Sequence, residues 1–185
     1  MPDQQDDARG DDLTQAPNGL DAVARTCRAI IETPEGRRSK YDYDPESGLF
    51  RLHSLLPEGL TFPLDFGFIP STRTDDGAPL DIMVFTDEPS PVGALIDTRI
   101  VGVIAAEQDG DQGRIRSDRI IGVAQVSHLY QSVQAVDDLG QAYVENLTRF
   151  WVTKGELEGK DLRVLGVHGP DEAIERVRRA AEAAS

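Results

Sequence analysis

The chain has 185 residues, 39% of them hydrophobic, and a formal net charge of −14 at pH 7. That length supports one domain with a substantial core and is short for two, the composition excludes a wholly disordered chain, and no apolar run approaches the roughly 20 residues that a membrane-spanning helix requires. The acidity argues against a nucleic-acid partner, whose phosphates attract basic faces, and suits a protein that gathers divalent cations on carboxylates.

Residues 1 to 20 read as a flexible acidic tail, Asp-rich, with Gly10, Pro17 and Gly19 and no apolar periodicity; residues 21 to 185 read as a single domain. The opening Met1-Pro2-Asp3-Gln4-Gln5-Asp6-Asp7 has neither the basic nor the apolar region of an export signal, so a cytoplasmic protein without a membrane partner is expected. Thr26 to Glu32 has strand character, and the sole cysteine, Cys27, lies within it, which rules out an internal disulfide or a Cys-based zinc site. Pro34-Glu35-Gly36 turns the chain into Ser39 to Asp44, where polar and aromatic residues alternate as in a half-buried strand. Pro45-Glu46-Ser47-Gly48 has the residues of a hairpin turn, with Leu49 to Leu52 as the returning strand. Further strands are expected at Asp81 to Thr86, Leu95 to Ile104 and Arg119 to Val126, separated by the turn Glu88 to Gly93 and a polar loop from Glu107 to Asp118. Short strands at this spacing favour a small barrel over a parallel sheet with intervening helices.

The period then changes. Leu139, Tyr143, Leu147, Phe150 and Trp151 fall at helical spacing behind Asp137-Asp138, which suit an N-cap, and Gly155 and Gly159 are expected to end that helix. Leu162 to Val167 reads as a strand, and Pro170 opens a second helix striped by Ala173, Ile174, Val177 and Ala181. The fold class is α+β.

The segment with the clearest chemistry is Asp75-Asp76-Gly77-Ala78-Pro79-Leu80-Asp81, followed by the apolar run Ile82-Met83-Val84-Phe85. Asp76 and Asp81 flank a tight turn, an arrangement able to present two carboxylates to one hard cation; Mg²⁺ is commonly held by one or two carboxylates plus water and substrate phosphate. His53, His128 and His168 have no ligand spacing and are assigned structural roles, with His53 the one nearest a site position. Arg73 is assigned to solvent, Trp151 to helix core, and Asp65 stays open between a pocket acid and a turn residue.

Wider patterns occur in order: Glu32-Thr33-Pro34, Ser39-Lys40-Tyr41-Asp42-Tyr43-Asp44, Glu46-Ser47-Gly48-Leu49-Phe50, Phe62-Pro63-Leu64-Asp65-Phe66-Gly67-Phe68-Ile69-Pro70, Asp76 to Asp81, Pro91-Val92-Gly93 and Val101-Gly102-Val103. Together they resemble the soluble inorganic pyrophosphatase family, the barrel-type, Mg²⁺-dependent one, over roughly residues 26 to 175. The resemblance implies a small closed five-stranded, OB-like barrel with flanking C-terminal helices, assembled as a homo-oligomer, that hydrolyses inorganic diphosphate with Mg²⁺ (or Mn²⁺). By position it implies Asp76, Asp81 and Glu32 as metal-linked acids, Asp42 in place of a glutamate, Lys40 and Lys154 as phosphate-binding lysines, and Arg119 where a lysine is usual.

The departures from that family's pattern concern chemistry. Ala78 replaces the middle acid of the motif, which orients or deprotonates the attacking water; Ser54 replaces an arginine; Phe62, Phe66 and Thr153 replace tyrosines; Ser117 falls at a metal-bridging aspartate, with Asp109, Asp111 or Asp118 as candidates to fill in. Loss of a positioned general base typically costs about 10²–10⁴ in rate. The hydrophobic and turn residues survive while these positions change, so whether the protein is an enzyme stays open. The leading expectation is weak or retuned metal-dependent hydrolysis of diphosphate. The alternatives are an inactive paralogue that binds a phosphate ligand or partners an active subunit, and a hydrolase of a different phosphoanhydride.

Overall fold

The structure is a computed structural model that describes residues 12–110 and 113–185. Among the described residues there are nine strands, β1 (Thr26–Thr33), β2 (Ser39–Asp44), β3 (Leu49–Leu55), β4 (Asp65–Ile69), β5 (Leu80–Phe85), β6 (Leu95–Gly110), β7 (Gly113–Arg116), β8 (Arg119–Ala124) and β9 (Arg163–His168), and two long helices, α1 (Gln141–Leu157) and α2 (Pro170–Ala184). Strand pairing runs β1–β4–β5–β8–β6 and returns from β6 to β1, which makes a ring of five; β7 and β9 add to β6, and β2–β3 form a separate hairpin. Every pair in the ring is antiparallel except β5–β8.

The ring's strands are covered on both faces, which explains why β4 and β8 are buried at every residue. Alternate positions of one strand feed two cores. Met83, Phe85, Ile121 and Val123 pack with Leu147, Phe150 and Trp151 of α1, whereas Ile82, Val84 and Ile120 pack with Ala173, Val177 and Ala180 of α2. Gly67 is required where β1 meets β4, because a Cβ there would lie 1.9 Å from the Ile30 carbonyl oxygen.

Several details differ from the sequence expectations. β4 and β7 are strands beyond those expected, and the polar stretch from Glu107 to Asp118 is a hairpin for much of its length, with Glu107 opposite Arg116 and Asp109 opposite Arg114. Asp137 and Asp138 lie in a 3-10 turn (Val136–Leu139), where the Asp138 carboxylate accepts from the Gln134 and Ala135 amides; α1 itself starts beyond Gly140. Gly155 sits inside α1, where a side chain would collide with Leu162, and Gly159, at φ 71°, follows the helix end. Of the expected tail, residues 1–11 lie outside the described residues. Residues 12–20 pack onto the domain: Leu13 and Ala16 lie against Tyr43 and Phe68, the Tyr43 hydroxyl accepts from the Leu13 amide, and Ser71 Oγ donates to the Ala16 carbonyl. Among the described residues, no helix is long and apolar enough to cross a membrane.

Candidate functional site

A cavity of ≈ 550 Å³ opens between the β2–β3 hairpin, the loop before β5, the start of β8 and the end of α1. Glu32 reaches it from an irregularity in β1, where Ile31 pairs with Gly67 and Thr33 with Phe66, so that the extra residue is turned off the ladder. The Tyr43 amide donates to Glu32 Oε1 (2.7 Å), and burial pushes the carboxyl up to about 8, with the charges of Asp42 and Asp81 acting in the same direction. Lys40 and Asp42, two apart on β2, share the cavity face and pair with each other; His53 Nδ1 of β3 lies 2.8 Å from the other Asp42 oxygen.

Asp76 turns back on its own loop, accepting from Thr74 Oγ1 (2.6 Å) and the Ala78 amide (3.1 Å), while Gly77 takes the positive φ of 84° that the turn needs. Ala78 lines the cavity beside it. Asp81 and Arg119 face each other across the parallel β5–β8 ladder, with Arg119 Nε 4.0 Å from Asp81 Oδ2. Burial raises the Asp81 carboxyl, and the Arg119 charge opposes that rise.

Arg119 is the most constrained cation of the site. It is 6% exposed, its guanidinium carbon lies 4.1 Å from the centre of the Trp151 ring, Nη1 donates to the Ser117 carbonyl (2.6 Å), and Nε has no hydrogen-bond partner among the described residues. Trp151 is itself fixed from below by Phe66 and Phe150 and by its indole N–H on Met83 Sδ (3.1 Å). Lys154, on the next turn of α1, is also 6% exposed and pairs with Glu158 Oε1 at 2.5 Å, with Lys160 3.9 Å from the other oxygen. Burial lowers the affinity of Lys154 for its proton, and Glu158 opposes the effect.

The structure thus brings Glu32, Lys40, Asp42, Asp76, Asp81, Arg119 and Lys154 together and does not bring Asp109 or Asp118 with them. Asp118 points away from the cavity: it is buried and accepts from the Ala106 amide, Arg116 and Arg176 of α2. Its neighbours Ser117 and Arg119 line the cavity. In the same way Gln108 lines the cavity, while Asp109, on the opposite face of the hairpin, is an exposed neighbour of Arg114. Asp111 lies outside the described residues. Phe66 lines the cavity; Phe62 is buried core stacked on it. Asp65 is no pocket acid either: fully buried, it accepts from the Glu35 and Ser90 amides and Thr86 Oγ1.

A resident Mg²⁺ demands near-octahedral oxygen donors. Among the described residues no three His, Cys, Asp or Glu side chains converge on a point, Asp42 and Glu158 are paired with lysines, and Asp76 accepts two hydrogen bonds from its own loop on Oδ1. The donor set does not fit a cluster of resident metal ions.

A profile of the family described as Inorganic pyrophosphatase matches residues 29–185. The chain belongs to the inorganic pyrophosphatase family. It is 32% identical over 162 residues to the inorganic pyrophosphatase of Methanosarcina acetivorans (87% of this chain, 94% of that one), and 33% identical over 163 residues to that of Thermus thermophilus (85% and 90%). The crystal structure of the Thermus thermophilus inorganic pyrophosphatase aligns with a TM-score of 0.83 at 30% identity, over 94% of this chain and 98% of that chain. The OB-like fold of the inorganic pyrophosphatases is therefore present here, with its ring of five strands and two C-terminal helices. Gln108, Glu158 and Lys160 are cavity residues of this pyrophosphatase-family chain that the sequence reading misses. Glu158 stands four residues after Lys154, a helical spacing visible in the sequence; Gln108 required knowing that the polar loop is a strand.

Proposed function

We propose that this pyrophosphatase-family chain binds inorganic diphosphate in the cavity and hydrolyses it weakly. The observation that carries the reading is the pair of nearly buried cations, Arg119 and Lys154, lining one cavity with Lys40. Burying a cation is costly unless an anion or acceptor meets it. A compact polyanion with several oxygens is the ligand that uses all three.

In this reading Arg119, Lys154 and Lys40 hold the two phosphates and offset the charge that develops on the leaving phosphate. Asp81 is the acid placed to take a proton from attacking water, because Ala78 cannot. Burial raises its affinity for a proton, and the Arg119 charge opposes part of that rise. Weak turnover follows from that replacement. Magnesium or manganese enters as part of the substrate, carried on the diphosphate. Self-association into a homo-oligomer and a cytoplasmic location belong to the same proposal.

The test is phosphate release from inorganic diphosphate, with Mg²⁺ and with Mn²⁺, beside nucleoside triphosphates and longer polyphosphates. Slow release confined to diphosphate is expected. Faster release from another phosphoanhydride would replace the substrate. Diphosphate binding with no release from any compound would favour the second reading, a silent phosphate-binding paralogue, which Ala78 in the cavity wall already supports.

A further inference from the structure

The carboxylates that reach the cavity wall are already engaged within the chain. Glu158 is held by Lys154 and Lys160, Asp42 by Lys40 and His53, Asp76 by Thr74 and the Ala78 amide, and Glu32 by the Tyr43 amide, while Asp81 stands against Arg119. Among the described residues, five carboxylates and five Lys or Arg side chains line the cavity, the other two cations being Arg73 and Lys160. Ala78, Gln108 and Ser117 in the same wall add no charge. A divalent cation that takes Asp42, Asp81 or Glu158 must break an internal ion pair, and it finds no surplus of negative charge to draw it. An anion meets the opposite situation. Arg119 lines the cavity with its guanidinium plane fixed by Trp151 and the Ser117 carbonyl, and Lys154 needs only to swing from Glu158 to engage a second oxygen.

We infer that the cavity binds diphosphate as the metal-free anion, with Arg119, Lys154 and Lys40 supplying the charge compensation that a divalent cation would otherwise bring. The inference rests on the reading of the cavity as a diphosphate site and adds that its occupation does not require a metal ion. Glu158 then acts as the competitor of the ligand: with the cavity empty of anion it holds Lys154, and the anion displaces it.

The test is titration calorimetry of the full chain with sodium diphosphate, at matched ionic strength, in EDTA after metal stripping and again in excess MgCl₂. The expected result is binding in both, with dissociation constants within about threefold of each other. Lys154→Met weakens metal-free binding by about tenfold or more, and Glu158→Gln, a change at a partly exposed helix end that leaves the fold in place, tightens it several-fold by freeing Lys154. Binding that is present in MgCl₂ and lost in EDTA overturns the inference and leaves the diphosphate site standing. Heat in neither buffer overturns the diphosphate reading itself. Metal-free binding indifferent to both variants puts the anion elsewhere and also overturns the inference.

Discussion

Arg119 is held by contacts that a lysine could only partly reproduce. Its flat guanidinium lies on Trp151, one edge is bonded to the Ser117 carbonyl, and Nε lies 4.0 Å from Asp81 Oδ2. A stacked cation of this kind is worth about 0.5–2 kcal/mol. Arg119→Lys keeps the charge and loses the stack and the fork; diphosphate affinity by calorimetry is expected to fall about threefold to thirtyfold with little change in melting temperature. Glu32 carries a pH prediction. Its ordinary value is 4.5 and burial raises it to about 8 in the folded chain. Between those limits the unfolded carboxyl has lost its proton and the folded one keeps it, so stability contributed at low pH is lost as pH rises toward 8. Glu32→Gln removes that loss while keeping an oxygen for the Tyr43 amide. In thermal melts the variant should differ little from the wild type near pH 5 and be the more stable above about pH 8; a gap that does not change with pH would contradict the assignment.

At the scale of elements, alternation of side chains along β6 and through the connection into β8 decides which acids face the site. Ser117, Asp118 and Arg119 are consecutive, yet the middle one bonds Arg176 of α2 on the far side of the sheet. Asp118→Ala leaves the Ala106 amide, Arg116 and Arg176 without their acceptor, which is expected to cost about 2–4 kcal/mol in denaturant unfolding while diphosphate affinity stays within about threefold. A large loss of affinity at unchanged stability would return Asp118 to the site. This alternation also marks the limit of what the sequence discloses. The hairpin β2–β3, the strands β5 and β8 and the Pro170 helix start were legible, because turn residues and apolar alternation are local signals. Asp81 and Arg119 were legible as candidates through ordered motifs, and the ladder places them opposite each other at the cavity. The stretch from Glu107 to Asp118 was not: its polarity resembles a loop, and only its pairing along β6 shows that Gln108 turns inward and Asp109 outward. The engagement of Asp42 by His53 is a cross-strand event with no local signal.

For the whole molecule, the ring of five strands and the two C-terminal helices make the fold of the inorganic pyrophosphatases, while the cavity wall combines cations with neutral residues at Ala78, Gln108 and Ser117. The net charge of −14 makes the cavity's cations a local exception. Anion binding there should therefore be selective for compact polyphosphates, and less screened by salt than contacts on an open surface. The central claim is that the fold retains diphosphate binding while the missing acid at Ala78 limits turnover. The direct measurement is kcat for phosphate release from Mg-diphosphate by the wild type and by Ala78→Asp under identical conditions. The account predicts a wild-type value below about 1 per second, the bottom of the usual range for enzymes, and a rise of at least about tenfold in the variant. A wild-type kcat of about 10² per second or more, unchanged or lowered by Ala78→Asp, would contradict it.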